Sequence, residues 1–508
     1  MTATPFYVTT SIPYVNARPH LGFALEIVQA DVLARHRRLR GDQVRFQTGT
    51  DDNSLTNLRA AEAQGVPVQR LVDRNAEAFA ALRRPLALSF DDFIRTSSDP
   101  RHHAGIERLW QGCAAAGDLY RKHYEGLYCV GCEQFYTEAE LRDGRCPDHD
   151  VEPELVAEEN WFFRLSRYQE RLHQLIGGGE LRIEPAARRN EVLGFVASGL
   201  EDFSVSRSRT RARGWGIAVP DDPDQVIYVW FDALGNYLTA LGYGGQEGGQ
   251  AEAYRRWWQG AGRRVHVIGK NILRFHAVYW PAILLSAGEP LPTDILVHDF
   301  LTANGRRLSK SSGNVVDPVA LTERYGTDAL RWWLLREVQR VGETGFTVAR
   351  LTARADEDLA DGFGNLVNRV VALVHRFRDG RVPSATVEEA GPAAGRLLQA
   401  CRQVPAHVDE ALAVGDFRGA TRAVWAIVAE ANRYAETARP WELARAEPGD
   451  GSAGRRLDAS LAVLVGACRT LAAELSPFLP AAAAAIAAQC DDSSGYLPSA
   501  RPLFPRIG

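Results

Sequence analysis

The chain has 508 residues, with 59 basic and 63 acidic side chains and a formal charge of −4. That length is too great for one ordinary core and predicts two to four domains, at roughly 100–200 residues each. The near-neutral balance excludes a chain-wide field for nucleic acid, so any such contact must be local.

The chain begins MTATPFYVTTSIPYV, without the basic and apolar regions of a signal peptide. The apolar tracts at 461–475 and 480–488 are interrupted by Arg469, or are too short and alanine-rich to span a bilayer. A cytoplasmic protein without membrane association is expected. The first strand pattern, FYVTTSI, leads into a Pro/Asn/Gly turn with His20 and Gly22, then a helical pattern from about Phe23. Backbone N–H groups and an imidazole at a helix N-terminus form an anion site. Gly22 would let a nucleotide approach the backbone, and His20 would donate to a phosphate as charge develops. Alone, a buried histidine beside a turn is commoner than a phosphate ligand.

A second strand pattern, VRFQTGT, precedes the cysteines. Of the seven, Cys113, Cys401, Cys468 and Cys490 sit singly in helical patterns and read as small core hydrophobes. The others cluster in YCVGCEQFYTEAELRDGRCPDHD, where Cys129 and Cys132 are followed by Cys146 and His149 with the same gap. Two such turns suit one tetrahedral Zn²⁺, structural because no open position is evident. A redox CxxC and a stray loop histidine are the alternatives. Metal would pin a loop-rich insert that has too little apolar sequence to fold on its core alone.

The strand patterns VIYVWF, VHVIG and DILVHDF then alternate with amphipathic stretches like that at 24–39, the signature of an α/β fold on a parallel sheet. The glycine-rich GYGGQEGGQ lacks the Lys-Ser/Thr ending of a phosphate loop and reads as a surface loop. In GRRLSKSSGN, Lys310 lies between Ser309 and Ser311 on a glycine-bounded loop, and would bring a mobile positive charge to the phosphates at His20. After about Thr347 strand signals vanish and long Ala/Leu/Arg patterns predict an all-α helical bundle.

In this order, the stretches around His20 and Lys310 resemble the HIGH and KMSKS signatures of class I aminoacyl-tRNA synthetases, and the chain is similar to the methionyl-tRNA synthetase family. The resemblance runs from Phe6 to PLFPRI and includes the zinc insert, NEVLGF, VIYVWFDALGNY, HAVYWPAILL, GNVVDP and YGTDALRWWLL. It implies a Rossmann-type doubly wound parallel sheet with ATP between the two signatures. The implied domains are 1–118 and 182–317 (catalytic), 119–181 (zinc insert), 318–350 (stem-contact connection) and 351–508 (anticodon-binding). The chain stops after PRIG without an appended module, so a monomer is expected.

The resemblance also implies residue roles. His20 and Lys310 would stabilise the pyrophosphate-forming transition state with Mg²⁺. Gly22, Glu26 and Asn271 would lie against ATP, with Arg207 near the site. Asp51 would hold the α-ammonium of L-methionine; a helix N-cap is its alternative meaning. Ile12, Tyr14, Trp230, Leu234, Tyr237, His276 and Trp280 would enclose the thioether, for which aromatic contact suits a polarisable sulfur. Asn365 and Arg369, four residues apart on one helical face, and Trp441 after Pro440 would read the anticodon of tRNA(Met).

Departures from the family pattern gather near ATP. Phe23 replaces the second histidine of HIGH, GTDDNS replaces GTDEHG at Asn53 and Ser54, and Asn271 replaces an acid. Asp299 replaces a glycine, and Arg307 and Leu308 alter KMSKS. Losing one phosphate donor removes about 3 kcal/mol of transition-state stabilisation unless compensated. Two alternatives to a tRNA ligase follow. One is a paralogue that passes an activated amino acid to a small amine or hydroxylamine; the other is a non-catalytic tRNA-binding protein.

Overall fold

The β-branched run after Pro5 forms strand β1 (Pro5–Thr10), and a buried helix, α1 (Leu21–Leu39), carries the chain back to β2 (Gln43–Thr50). Helices α2 (Leu55–Ala63) and α3 (Val68–Ala80) lead to β3 (Asp92–Arg95), and α4 (Pro100–Ala115) follows. After an excursion, β4 (Arg182–Glu184), helix α5 (Val229–Thr239), β5 (Arg263–Gly269) and β6 (Asp294–His298) complete the framework. The six strands form one sheet in the order β3-β2-β1-β5-β6-β4, every neighbouring pair parallel. Strand order reverses between β1 and β5, so the crevice at their carboxyl ends is where a doubly wound sheet binds ligands.

This computed structural model describes residues 4–147, 150–245, 249–303, 305–308 and 315–508. Lys310 with Ser309 and Ser311, His149, and 246–248 of the glycine-rich stretch lie outside the described residues.

Two compact units emerge. One takes in Met1–Arg84, Leu88–Phe300 and Arg307–Asp317; the other holds Pro85–Ala87, Leu301–Arg306 and Pro318–Gly508. The first contains the parallel sheet and the cysteine insert, whose long strands Leu119–Cys129 and Glu154–Phe163 pair antiparallel. The insert's sheet also takes in Gln134–Tyr136 and, beyond residue 181, Phe203–Ser204. In the second unit Thr344–Phe346 is the last strand; the described elements after it are helical, as the Ala/Leu/Arg patterns predict. Among the described residues no helix is long and apolar enough to cross a membrane.

Two local expectations are corrected. The run VIYVWF is not one strand: its strand ends at Ile227, Tyr228 caps α5, and Val229, Trp230 and Phe231 are helical. Every residue of α5 is buried, and a helix buried on all sides carries little 3.6-residue signature to separate it from a strand. The first helix begins at Leu21 rather than Phe23, because His20 is its N-cap.

Candidate active site

The turn after β1 brings His20 onto the N-terminus of α1. Its Nδ1 accepts the Gly22 N–H at 3.0 Å, so the proton of the neutral ring sits on Nε2, the atom that would donate to an anion. A Cβ at Gly22 would come within 2.8 Å of the His20 ring, so a side chain there would displace the imidazole from this position. Phe23, in place of a second phosphate donor, is buried against Phe79 with ring centroids 5.1 Å apart. The structure makes it a packing residue between α1 and α3.

Glu26, one turn into α1, is buried and occupied: its Oε1 accepts from Ser11 N at 2.8 Å and Ser11 Oγ at 2.5 Å, and its Oε2 lies 3.1 Å from His298 Nε2. It joins the carboxyl ends of β1 and β6. Burial alone would lower the proton affinity of His298, but the hydrogen bond and charge of Glu26 outweigh it and leave the pKa raised. Asn271 is exposed just beyond β5, and its Oδ1 lies 2.9 Å from where a Cβ on Gly269 would be.

At the end of β2, Asp51 bridges to Tyr14 and its N–H donates to Pro13 O at 3.0 Å. The carboxyl group is buried and Oδ1 has no hydrogen-bond partner. Burial, then the charges of Asp232, Glu133 and Asp52, pushes its pKa well above the usual carboxylate range. A buried acid held among acids, with one oxygen left over, is a receptor for a cation. The N-cap of α2 is Ser54, not Asp51: Ser54 Oγ accepts from Thr56 N at 3.0 Å and Asn57 N at 3.4 Å. The GTDDNS departure is therefore absorbed locally. Ser54 supplies the cap, and Asn53 Nδ2 donates to Asp232 Oδ2 at 2.7 Å.

The aromatic residues converge beside this acid. Trp230 stacks on Phe275 at 3.8 Å and lies 6.2 Å from the Tyr14 ring. Tyr237 lies 6.0 Å from Trp280, and its OH is 2.7 Å from His276 Nε2. His276 Nδ1 is 2.9 Å from Ile272 O, an obligate acceptor, so Nδ1 carries the proton and Nε2 accepts from Tyr237. Burial pushes the His276 pKa down to about 4, leaving a neutral ring. Ile12 and Leu234 are buried as well. The result is a buried aromatic cluster whose polar groups mostly satisfy one another, joined to Asp51 through Tyr14.

Sequence reasoning missed the groups behind Asp51. Asp232 is fully buried on α5 and hydrogen-bonds His102 Nε2 of α4 as well as Asn53. An acid in the apolar run VWFDALGN was the available signal. Arg207 makes a buried ion pair with Glu133 at 2.9 Å. Asp299, at a position where the family pattern has a small residue, is buried and accepts twice from Arg188 Nη2, at 2.6 and 2.7 Å.

In the insert, the Cys129, Cys132 and Cys146 sulfurs lie within 4.8 Å of one another, with Cys132 and Cys146 3.5 Å apart. Hydrogen bonding among these sulfurs, then burial, raises the Cys132 pKa far above the usual thiol range. A divalent cation among the sulfurs reverses that penalty by stabilising thiolates, so the donor set fits a Zn²⁺ knuckle; the expected fourth ligand, His149, is outside the described residues.

In the helical unit, Asn365 is exposed and Arg369 half-buried on the helix Asn365–Arg378, with Arg369 Nη2 2.6 Å from Asn432 Oδ1. Asn432 belongs to the helix Phe417–Ala438, which ends at Arg439 in a left-handed conformation; Pro440 then starts a short helix with half-buried Trp441 as its second residue.

The family model described as tRNA synthetases class I (M) matches residues 6–152 and 138–371. The methionine–tRNA ligase of Mycobacterium bovis is 41% identical over 99% of this chain and 94% of its own length. That of Brucella suis is 39% identical over 100% and 98%. The structure of Mycobacterium tuberculosis methionyl-tRNA synthetase in complex with methionyl-adenylate superposes with a TM-score of 0.91 at 38% identity, covering 99% of this chain and all of the other. A match of that extent, in sequence and in fold, leaves one assignment: the chain belongs to the methionine–tRNA ligases among the class I tRNA synthetases.

Proposed function

We propose that this chain activates L-methionine with ATP and transfers the methionyl group to tRNA(Met). The reading is carried by Asp51, a buried carboxyl group with an unpartnered oxygen at the carboxyl end of β2, bridged to Tyr14 of the aromatic cluster. A zwitterionic amino acid with a soft apolar side chain meets each of those demands at once.

The methionine carboxylate attacks the α-phosphorus of ATP, and pyrophosphate leaves. Little covalent work falls to the protein; positioning and charge stabilisation set the rate. Asp51 holds the ammonium, and Tyr14, Trp230, Tyr237, His276 and Trp280 enclose the thioether with Ile12 and Leu234. The Nε2–H of His20, aided by the N-terminus of α1, donates to phosphate, and Lys310 brings a second positive charge from its loop. Mg²⁺ bound with ATP neutralises phosphate charge. A terminal ribose hydroxyl of the tRNA then attacks the methionyl carbonyl and AMP leaves; no protein base is assigned to this step. Cys129, Cys132, Cys146 and His149 would hold Zn²⁺, which supplies fold rather than chemistry.

Methionine-dependent ATP–pyrophosphate exchange tests the activation step. Exchange should be present in the wild type and fall by about 10²–10³-fold in Lys310→Ala. Undiminished exchange in the variant would overturn the role of the 305–314 loop, and exchange indifferent to methionine would overturn the substrate.

A further inference from the structure

The turn between Cys129 and Cys132 does more than hold sulfurs. Two of its backbone carbonyls, and that of the residue after it, accept hydrogen bonds from side chains at the starts of α2 and α5. Thr56 Oγ1, in the first turn of α2, donates to Val130 O at 3.0 Å, and Trp230 Nε1 donates to Cys132 O at 3.3 Å. Tyr228, the N-cap of α5, donates its hydroxyl to Glu133 O.

Glu133 takes the last of these links on its backbone carbonyl and adds others through its side chain. It is fully buried, in a left-handed conformation (φ 52°), and every polar atom of its side chain is engaged. Oε1 accepts from Thr56 N at 3.2 Å; Oε2 accepts from Tyr128 OH at 3.2 Å and from Arg207 Nη2 at 2.9 Å. One residue beyond a metal ligand thus holds the start of α2, which follows Asp51, and the start of α5, which carries Trp230.

We propose that Glu133 is a positioning residue for amino-acid activation, locking the cysteine turn to Trp230 and to the segment after Asp51. The inference rests on methionine being the substrate. Glu133 touches no reacting atom in this account; it acts through the aromatic cluster, so its loss is felt by the amino acid and not by the nucleotide.

The test compares wild type, Glu133→Gln, Trp230→Phe and the double variant in pyrophosphate exchange, with metal content measured on each. The expected result for Glu133→Gln is a methionine KM raised about tenfold, an ATP KM within about twofold of wild type, and unchanged metal content. Its effect should be less than multiplicative with that of Trp230→Phe, because both act on one cluster. If Glu133→Gln folds poorly, Arg207→Lys supplies the same split: it keeps the charge but weakens the hydrogen bond to Glu133, and should raise methionine KM by a few-fold alone. An unchanged methionine KM, or equal rises for methionine and ATP, overturns the inference while leaving the substrate assignment intact. Wild-type exchange that ignores methionine overturns the substrate assignment and the inference with it.

Discussion

Replacing Asp51 by Asn should make the protein more stable and a far poorer activator of methionine. In the free protein the Asp51 carboxyl group is buried, one oxygen lacks a partner, and Asp232, Glu133 and Asp52 surround it. Burial first, and those charges second, raise its folded pKa above the unfolded value of about 3.9. For an acid with a raised folded pKa, stability is fully present below the unfolded pKa and is lost as pH rises through the folded one. Wild type at pH 7 therefore bears the strain of an ionised or hard-to-ionise Asp51, and the Asn variant, uncharged at every pH, is spared it. Relief is expected as a higher melting temperature at pH 7, shrinking towards pH 4. Catalysis moves the other way: truncating one side of a buried charge pair costs about 2–5 kcal/mol, or roughly 30- to 5,000-fold in kcat/KM for methionine. Thermal melts with and without methionine, beside pyrophosphate exchange, read both effects. Methionine should raise the melting point of wild type but not of the variant. A variant that melts lower than wild type at pH 7, or that keeps wild-type kcat/KM, refutes the reasoning.

Other outcomes follow from the same structure. His276 has its pKa pushed down to about 4 by burial, so the stability it contributes is present above about pH 6.5 and is lost as pH falls towards 4; the loss should reach about 3 kcal/mol in acid melts and be absent in His276→Asn. Elemental analysis should find about one Zn²⁺ per chain, and Cys146→Ser should lower that content; less than about half an equivalent in wild type would remove the tetrahedral site. Trp441→Ala should leave pyrophosphate exchange intact and reduce tRNA charging by about tenfold or more, whereas unchanged charging would exclude anticodon reading through that residue.

What the sequence made legible was whatever local chemistry writes down. Strands β1, β2, β5 and β6 stand out as β-branched runs, and the turn at His20 is marked by its own proline and glycine. The cysteine turn was plain for the same reason: metal ligands leave spacing in the chain. Strand β4 went unseen because three residues at a sheet edge carry too short a pattern. The start of α5 was mistaken for strand because total burial erases helical periodicity. Hardest were the pairings across long separations. Asp299 reads as an intruder charge beside a nucleotide until Arg188, 111 residues away, is found clasping it. Glu133 likewise gives no signal until Thr56, Arg207 and Tyr228 are seen around it.

These pairings also explain how the departures from the family pattern fit the fold. Phe23 joins the packing of α3, Ser54 caps α2, Asn53 binds Asp232, and Asp299 is neutralised by Arg188. At these four positions the changed residue has a specific partner in the fold. A decayed site would be expected to leave buried polar groups stranded at these positions.

Transfer of methionine to tRNA is the step that defines the proposed function. It is tested most directly by incubating the purified protein with labelled methionine, ATP and Mg²⁺, with and without tRNA(Met), and counting acid-precipitable label. Label should appear on the tRNA at a rate matched to pyrophosphate exchange, and none should appear without it. Methionine-dependent exchange with no label on tRNA would contradict the account and point to a small-molecule acceptor.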